Sequence, residues 1–253
     1  MRTLALLGVL AACHAPAPGP AQPDAPPPRA TAAPSSPPAG ATAAAATAGA
    51  PHEGFEYQVR SDFFDGLRGD AAALDRAVKV CDDVLARQPD HAEALVWHGA
   101  AMMGRARLAF GGGDRATGMK LYQQGLGEMD RAVALASNNI GVRIPRGAVL
   151  LGVAAYVPEP EKSRLVARGV SDYEVALARQ SPRFGELTLH AREQLLYGLT
   201  EGYAVLGQTD KAQAAYQRMT ADAAGSELLP RAQARAAGQA VAGPAPCAAC
   251  HAR

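Results

Sequence analysis

Between residues 55 and 241, apolar side chains recur at the spacing that buries one face of an α-helix. In the first clear segment, Ala77 is followed by apolar residues 4, 7 and 8 positions later, and Pro89 stands beyond them as a helix stop. The same pattern returns in three later segments: Gly125, Met129, Ala132 and Val133; Gly169, Tyr173, Ala176 and Leu177; and Ala212, Tyr216 and Met219. Because each segment begins with a small residue, we expect a neighbouring helix to approach closely there.

Partner helices lie between these four segments. One of them carries Leu95, His98, Gly99 and Met102 on a single face. This pairing resembles the tetratricopeptide repeat (TPR), in which a small residue at the helix crossing is covered by an aromatic or methionine side chain and a proline closes the pair. The resemblance covers about residues 55–220 and is clearest in the stretch LLYGLTEGYAVLGQTDKAQAAYQRM.

The resemblance implies an all-α fold for residues 54–242, an irregular TPR-like α-solenoid of about nine helices in antiparallel pairs. The copies begin 48, 44 and 43 residues apart, from 77 to 125, to 169 and to 212. A standard repeat has about 34 residues, and we attribute the excess to insertions at residues 111–114 and 157–160. A last helix over residues 226–241 is expected to cap the array.

The chain starts with MRTLALLGVLAAC, a positive residue and a short apolar run that lead to Leu-Ala-Ala-Cys. This start resembles a bacterial lipoprotein signal, which implies that residues 1–12 are a signal peptide and that Cys13 is acylated. The alternative is an apolar leader with an incidental cysteine. His14 stands where such families often place the aspartate that retains them at the inner membrane. We therefore expect a lipid-anchored protein on the periplasmic face of the cell envelope, with the outer membrane favoured.

Residues 13–53 are rich in proline, alanine, glycine, serine and threonine and show no apolar periodicity. This composition predicts a disordered, partly polyproline linker between the lipid anchor and the helical domain.

The net charge and the motifs of the sequence argue against several classes of function. The formal net charge of +1 argues against a nucleic-acid partner, which would require a clustered basic surface. Gly113 is followed by Asp-Arg rather than by the Lys and Ser or Thr of a phosphate-binding loop, and no nucleophile–base motif is visible. We therefore expect that the protein is not an enzyme. Cys81 occupies a core position of its helix, where a thiol behaves as a small hydrophobe.

Two arginines are candidates for binding in the repeat groove. Arg143 and Arg146 lie in NNIGVRIPRGAVLLGVAAY, where Pro145 is expected in the first turn of a helix. From that helix start they could grip the carboxylate or phosphate of a ligand. The alternative is that they pair with acidic neighbours or with water.

His98 is the third candidate for a groove contact. It lies seven residues after His91 and one helical turn before Met102, so the three side chains could supply a metal or haem ligand. The alternative is that His98 is a hydrogen-bonded packing residue at a helix crossing.

The C-terminal stretch GPAPCAACHAR, residues 243–253, contains the Cys-x-x-Cys-His pattern of c-type haem attachment. Cys247 and Cys250 are spaced to meet the two vinyl groups of haem, and His251 follows to hold the iron. The glycine and prolines before the motif interrupt any helix and predict a flexible tail. The alternatives are a disulfide, a zinc site, which would need a fourth ligand, or no role.

Together these features predict a membrane-anchored periplasmic TPR-like scaffold that binds a protein or peptide in its repeat groove and carries one haem c at its C-terminus. One alternative is a haem-bearing accessory protein that transfers electrons to a partner cytochrome. The other follows from a resemblance to lipid-anchored TPR components of solute-uptake systems, and a buried apolar channel through the array would favour it.

Overall fold

The computed structural model describes residues 54–241, which form nine α-helices and no strand. The helices are α1 (Glu56–Leu67), α2 (Ala71–Leu85), α3 (Ala92–Gly111), α4 (Arg115–Leu135), α5 (Ile140–Ala154), α6 (Glu161–Gln180), α7 (Leu189–Val205), α8 (Thr209–Asp222) and α9 (Leu229–Ala236). A short 3-10 segment, Ser181–Glu186, follows α6. The predicted all-α fold is confirmed. None of the helices in this part of the chain is long and apolar enough to cross a bilayer.

Local side chains fix where the helices begin. Asp70 accepts the Ala73 N–H at 3.0 Å, and Asp114 accepts the Thr117 N–H at 3.0 Å, so each carboxylate caps a helix start. The hydrogen bond from Thr117 also lowers the pKa of Asp114. Gly207 ends α7 with a φ of 69°, in the left-handed region that glycine adopts without strain.

Each helix packs most extensively on its neighbour in the chain, with the largest interfaces between α3 and α4, α5 and α6, and α7 and α8. The odd-numbered helices also contact one another in the order α1, α3, α5, α7, α9 and form one layer. They run in the same direction: Asn139 at the start of α5 donates to Glu93 at the start of α3, over 2.9 Å. We call the side of the layer where these helices begin the amino edge and the other side the carboxyl edge.

The layer of odd-numbered helices curls strongly. Arg60 of α1 lies 3.3 Å from Nε2 of His190 of α7, although 130 residues separate them in the chain. Phe63 of α1 covers Trp97 of α3 edge-on, with ring centroids 5.2 Å apart. Every residue of α3 from 94 to 104 is buried, so this part of the helix offers no exposed stripe to a groove.

The small residues predicted at helix crossings are confirmed. A Cβ atom at Gly99 would lie 2.7 Å from the carbonyl oxygen of Gly125, and one at Gly125 would lie 2.5 Å from that of Gly99. Gly147 and Gly169 make the equivalent approach between α5 and α6, at 3.2 and 3.1 Å. At both crossings the backbones of the two helices approach each other closely, because the glycines have no side chain to separate them.

Two predicted boundaries are wrong. Helix α5 begins at Ile140, where Asn139 accepts the Gly141 N–H at 2.8 Å, so Pro145 lies inside the helix rather than in its first turn. The last helix is shorter than the predicted 226–241. It begins at Leu229 and ends at Ala236, before Gly238 turns the backbone to a φ of 72°.

Candidate functional site

The predicted attachment residues lie outside the described part of the chain. They are the lipidation site Cys13 and the haem-binding set Cys247, Cys250 and His251. The proposed linker and tail lie outside it as well. The three groove candidates, in contrast, fall on α3 and α5, where their contacts are defined.

Arg146 forms an ion pair with a buried carboxylate of the same chain, that of Asp172. Its Nε donates to Oδ2 of Asp172 at 2.7 Å, and its Nη2 donates to Oδ1 at 2.8 Å. Asp172, on α6, has no solvent exposure, and the Arg146 side chain is nearly buried. A two-pronged pair of this kind is a strong charge-assisted contact and fixes both side chains in position.

Further charges extend this pair into a network. Arg143 donates to Oδ1 of Asp172 at 2.6 Å and to the carbonyl oxygen of Ser137 at 2.7 Å. The remaining Nη1 of Arg146 donates to Asp130 of α4 at 3.0 Å, and Arg168 of α6 pairs with the same carboxylate. The network therefore ties α4, α5 and α6 together.

The prediction that Arg143 and Arg146 reach into a groove is therefore corrected. Both side chains are turned to acidic groups of the same chain, which is the alternative that the sequence left open. Asp172 was missed, although the sequence held a signal. It lies three residues after Gly169 and one before Tyr173, so this carboxylate stands on the apolar stripe of its helix. An acidic residue there requires a buried partner.

His98 is likewise an internal contact, so its predicted place in a groove is corrected. It is 7% exposed, and its Nδ1 lies 2.6 Å from Oε2 of Glu128 on α4. Its Nε2 faces Oδ1 of Asp82 on α2 at 3.4 Å. The imidazole therefore links three helices as the packing residue that the alternative described.

The ligand set of His91, His98 and Met102 does not assemble. His91 caps α3, where its Nδ1 accepts the Ala94 N–H at 3.1 Å. Met102 is buried in the core. Within residues 54–241 no cluster of three histidine, cysteine or carboxylate side chains is placed to hold a metal ion.

Cys81 lies on α2 and is buried in the core. Burial, together with the nearby Asp82 and Glu128, raises the pKa of the thiol to about 12. A nucleophilic or redox-active cysteine needs a lowered pKa and access to solvent. The structure thus agrees with the interpretation of Cys81 as a small hydrophobe.

A pocket of about 590 Å³ opens at the amino edge, and its lining is mainly polar. Its lining residues are Gly54, Phe55, Gln58, Val84, Arg87, Gln88, His91, Ala92, Glu93 and Asn139. Glu93 and Asn139 already bond to each other, and His91 is occupied by its cap. This pocket is therefore not the apolar channel that would favour a solute-uptake role.

A surface that the sequence analysis missed lies at the carboxyl edge, where the α3–α4 hairpin turns. We call residues 107–120 the hairpin end. Leu108, Phe110 and Met119 are 45%, 39% and 48% exposed there. The helical pattern gave a partial signal, since these apolar residues flank the glycine-rich insertion rather than a partner helix. Tyr156, in the neighbouring α5–α6 turn, is the most exposed of the large apolar side chains in the described part.

The candidate features of this chain are thus an attachment motif in the tail, an internal charge network and an exposed apolar hairpin end. No family model, no curated protein and no solved structure matches the chain.

Proposed function

We propose that this protein is a lipid-anchored helical scaffold of the periplasm that carries one haem c on its C-terminal tail and binds a protein partner. The observation that carries the proposal is the donor set Cys247, Cys250 and His251 in a chain with a lipoprotein-like start at Cys13. The helical domain is compatible with this proposal, since α9 ends at Ala236, 11 residues before Cys247.

The donor set fits a covalently attached haem. The two thiols would form thioether bonds, and His251 would hold the iron through its imidazole. When bound, such a group accepts and donates one electron at a time. Before attachment the tail must be reachable by the machinery that joins the thiols to the vinyl groups, and the glycine and prolines at residues 243–246 predict a motif that is not part of a helix.

The three histidines within residues 54–241 are already engaged in contacts of the helical domain. His91 is engaged through Nδ1, which accepts the backbone N–H of Ala94 at 3.1 Å. His98 is buried between two carboxylates. Arg60 donates to Nε2 of His190, and Nδ1 of that ring lies 3.2 Å from Glu193. We therefore expect that these three histidines would not bind the haem, and a further donor from a partner would suit transfer of electrons to a partner cytochrome.

Expression in a host that matures c-type cytochromes is expected to give one covalent haem per chain, detected by intact mass and a pyridine haemochrome spectrum. The double change Cys247→Ser/Cys250→Ser should abolish attachment, and His251→Ala should abolish attachment or the native haem spectrum, because each removes a required donor. Helical content by circular dichroism should stay unchanged. Cys81→Ala is the matched control and should retain the haem, since that thiol is in the core. Wild-type protein without covalent haem under these conditions would refute the haem part of the proposal.

The anchor is tested separately. Cys13→Ser is expected to move the protein from the membrane fraction to the soluble periplasmic fraction after a high-salt wash, because the acyl chains are lost with the thiol. Cys247→Ser should stay with the membranes and serves as the control for cysteine loss in general. Retention of the Cys13→Ser protein through the wash would count against the lipoprotein interpretation.

A further inference from the structure

The hairpin end exposes three large apolar side chains at the turn between α3 and α4. Leu108 and Phe110 lie in the last turn of α3, and Met119 lies near the start of α4. Phe110 is held in place by Gly118, because a Cβ at Gly118 would come within 2.6 Å of the ring. The aromatic ring is thereby held against α4, at the residue that precedes Met119.

Basic side chains surround these apolar residues. Arg107, Arg115 and Lys120 are all exposed, and none of them forms an ion pair within residues 54–241, although Arg107 donates to the carbonyl oxygen of Leu67 at 3.3 Å. Most arginines elsewhere on these helices do, such as Arg105 with Asp75. The one acidic residue of the hairpin end, Asp114, is engaged as the cap of α4. Three positive charges against one negative charge leave an excess of two.

We propose that the hairpin end rests on a bilayer surface that carries anionic headgroups. Leu108, Phe110 and Met119 would enter the boundary between headgroups and acyl chains, and the basic side chains would pair with the lipid phosphates. A protein partner is less well matched, because three partly exposed side chains supply far less than the roughly 800 Å² that each partner contributes to a stable protein interface.

The position of the hairpin end is compatible with a tether at Cys13. The 20 residues of α3 place the hairpin end about 30 Å from the amino edge, where Gly54 begins the described chain. About 40 residues separate Cys13 from Gly54, enough to span on the order of 100 Å when extended. A single acyl chain or a basic patch alone binds weakly, whereas two such signals together hold a protein on a membrane. In the cell, membrane contact at the hairpin end thus rests on the proposed lipid anchor. The experiment that tests this contact uses the chain without that anchor.

The experiment is vesicle flotation of the unlipidated chain, residues 13–253 with Cys13→Ser. We expect binding to phosphatidylglycerol-containing vesicles, little binding to pure phosphatidylcholine vesicles, and loss of binding as salt is raised. Arg115→Gln/Lys120→Gln should weaken binding about 25-fold, at about fivefold for each charge. Leu108→Ser/Met119→Ser should weaken it about tenfold. Leu135→Ser, at the opposite end of α4 and equally exposed, and Arg87→Gln, at the amino edge, should bind like the parent.

Circular dichroism shows whether each variant is folded. If one of the two hairpin variants fails to fold, the other can still be compared with the two control substitutions. Absence of binding to phosphatidylglycerol vesicles would overturn the proposal, as would equal losses in the hairpin and control variants. If the parent chain instead self-associates and Leu108→Ser/Met119→Ser makes it monomeric, the hairpin end is an interface between copies, and the membrane proposal is overturned. Failure of the Cys13→Ser fractionation with success of the flotation would refute the anchor alone.

Discussion

Asp172→Ala is expected to lower the free energy of unfolding by about 3–5 kcal/mol, the usual cost of removing one partner from a buried ion pair. The carboxylate has no solvent exposure and accepts three hydrogen bonds from Arg143 and Arg146. Its loss leaves the Arg146 guanidinium nearly buried beside Asp130 alone, which is itself half exposed. The measurement is urea unfolding followed by circular dichroism at neutral pH.

Asp83→Ala is the matched control. Asp83 pairs with Lys79 on the surface of α2, and both side chains are exposed, so its loss should change the free energy of unfolding by less than about 0.5 kcal/mol. A second variant separates the charge from the shape of the site. Because apolar side chains of similar volume often replace buried ion pairs without loss, Arg146→Met/Asp172→Leu should recover part of the stability. Equal effects of Asp172→Ala and Asp83→Ala would show that the network does not hold α5 and α6 together.

The apolar pattern predicted the helices and their crossings because both depend on residues close together in the chain. Gly125 and Gly169 each stand four residues before a Met or Tyr, and this spacing alone indicates a face on which a neighbouring helix lies. The position of Pro145 was predicted wrongly for a related reason. Proline is favoured at helix starts, but Asn139 caps α5 six residues earlier and overrides that preference.

Contacts between distant residues could not be read from the sequence. The closure of α1 on α7 joins Arg60 to a residue 130 positions away. This contact depends on the angles at which all the intervening helix pairs pack. Each of those angles is set by small differences in side-chain packing. The same holds for Arg146, whose partner Asp172 is 26 positions away. The sequence indicated that the charge of Arg146 needs a partner. It did not indicate whether that partner is a ligand or a side chain of another helix.

Closure of the helix layer changes what the scaffold can offer to a partner. With α3 buried on all sides over residues 94–104, contacts must use the outer faces, the turns or the tail rather than an inner stripe of that helix. The proposed haem on the tail and the proposed membrane contact at the hairpin end both satisfy this requirement. Under these two proposals, the helical domain would connect the membrane surface to the haem.

Gly99→Ala and Gly127→Ala should change stability in opposite directions, although each adds one methyl group inside a long helix. At Gly99 the new Cβ would lie 2.7 Å from the carbonyl oxygen of Gly125 and 2.9 Å from Cγ of Met129. Since backbone cannot yield as a flexible side chain does, α3 and α4 must move apart, and we expect a loss of about 1–3 kcal/mol. At Gly127 nothing lies within 4 Å, so alanine should stabilise α4 by about 0.5–1 kcal/mol through its higher helix propensity. Urea unfolding of the two variants measures both changes. A stabilising Gly99→Ala would mean that the two helices do not cross at this glycine.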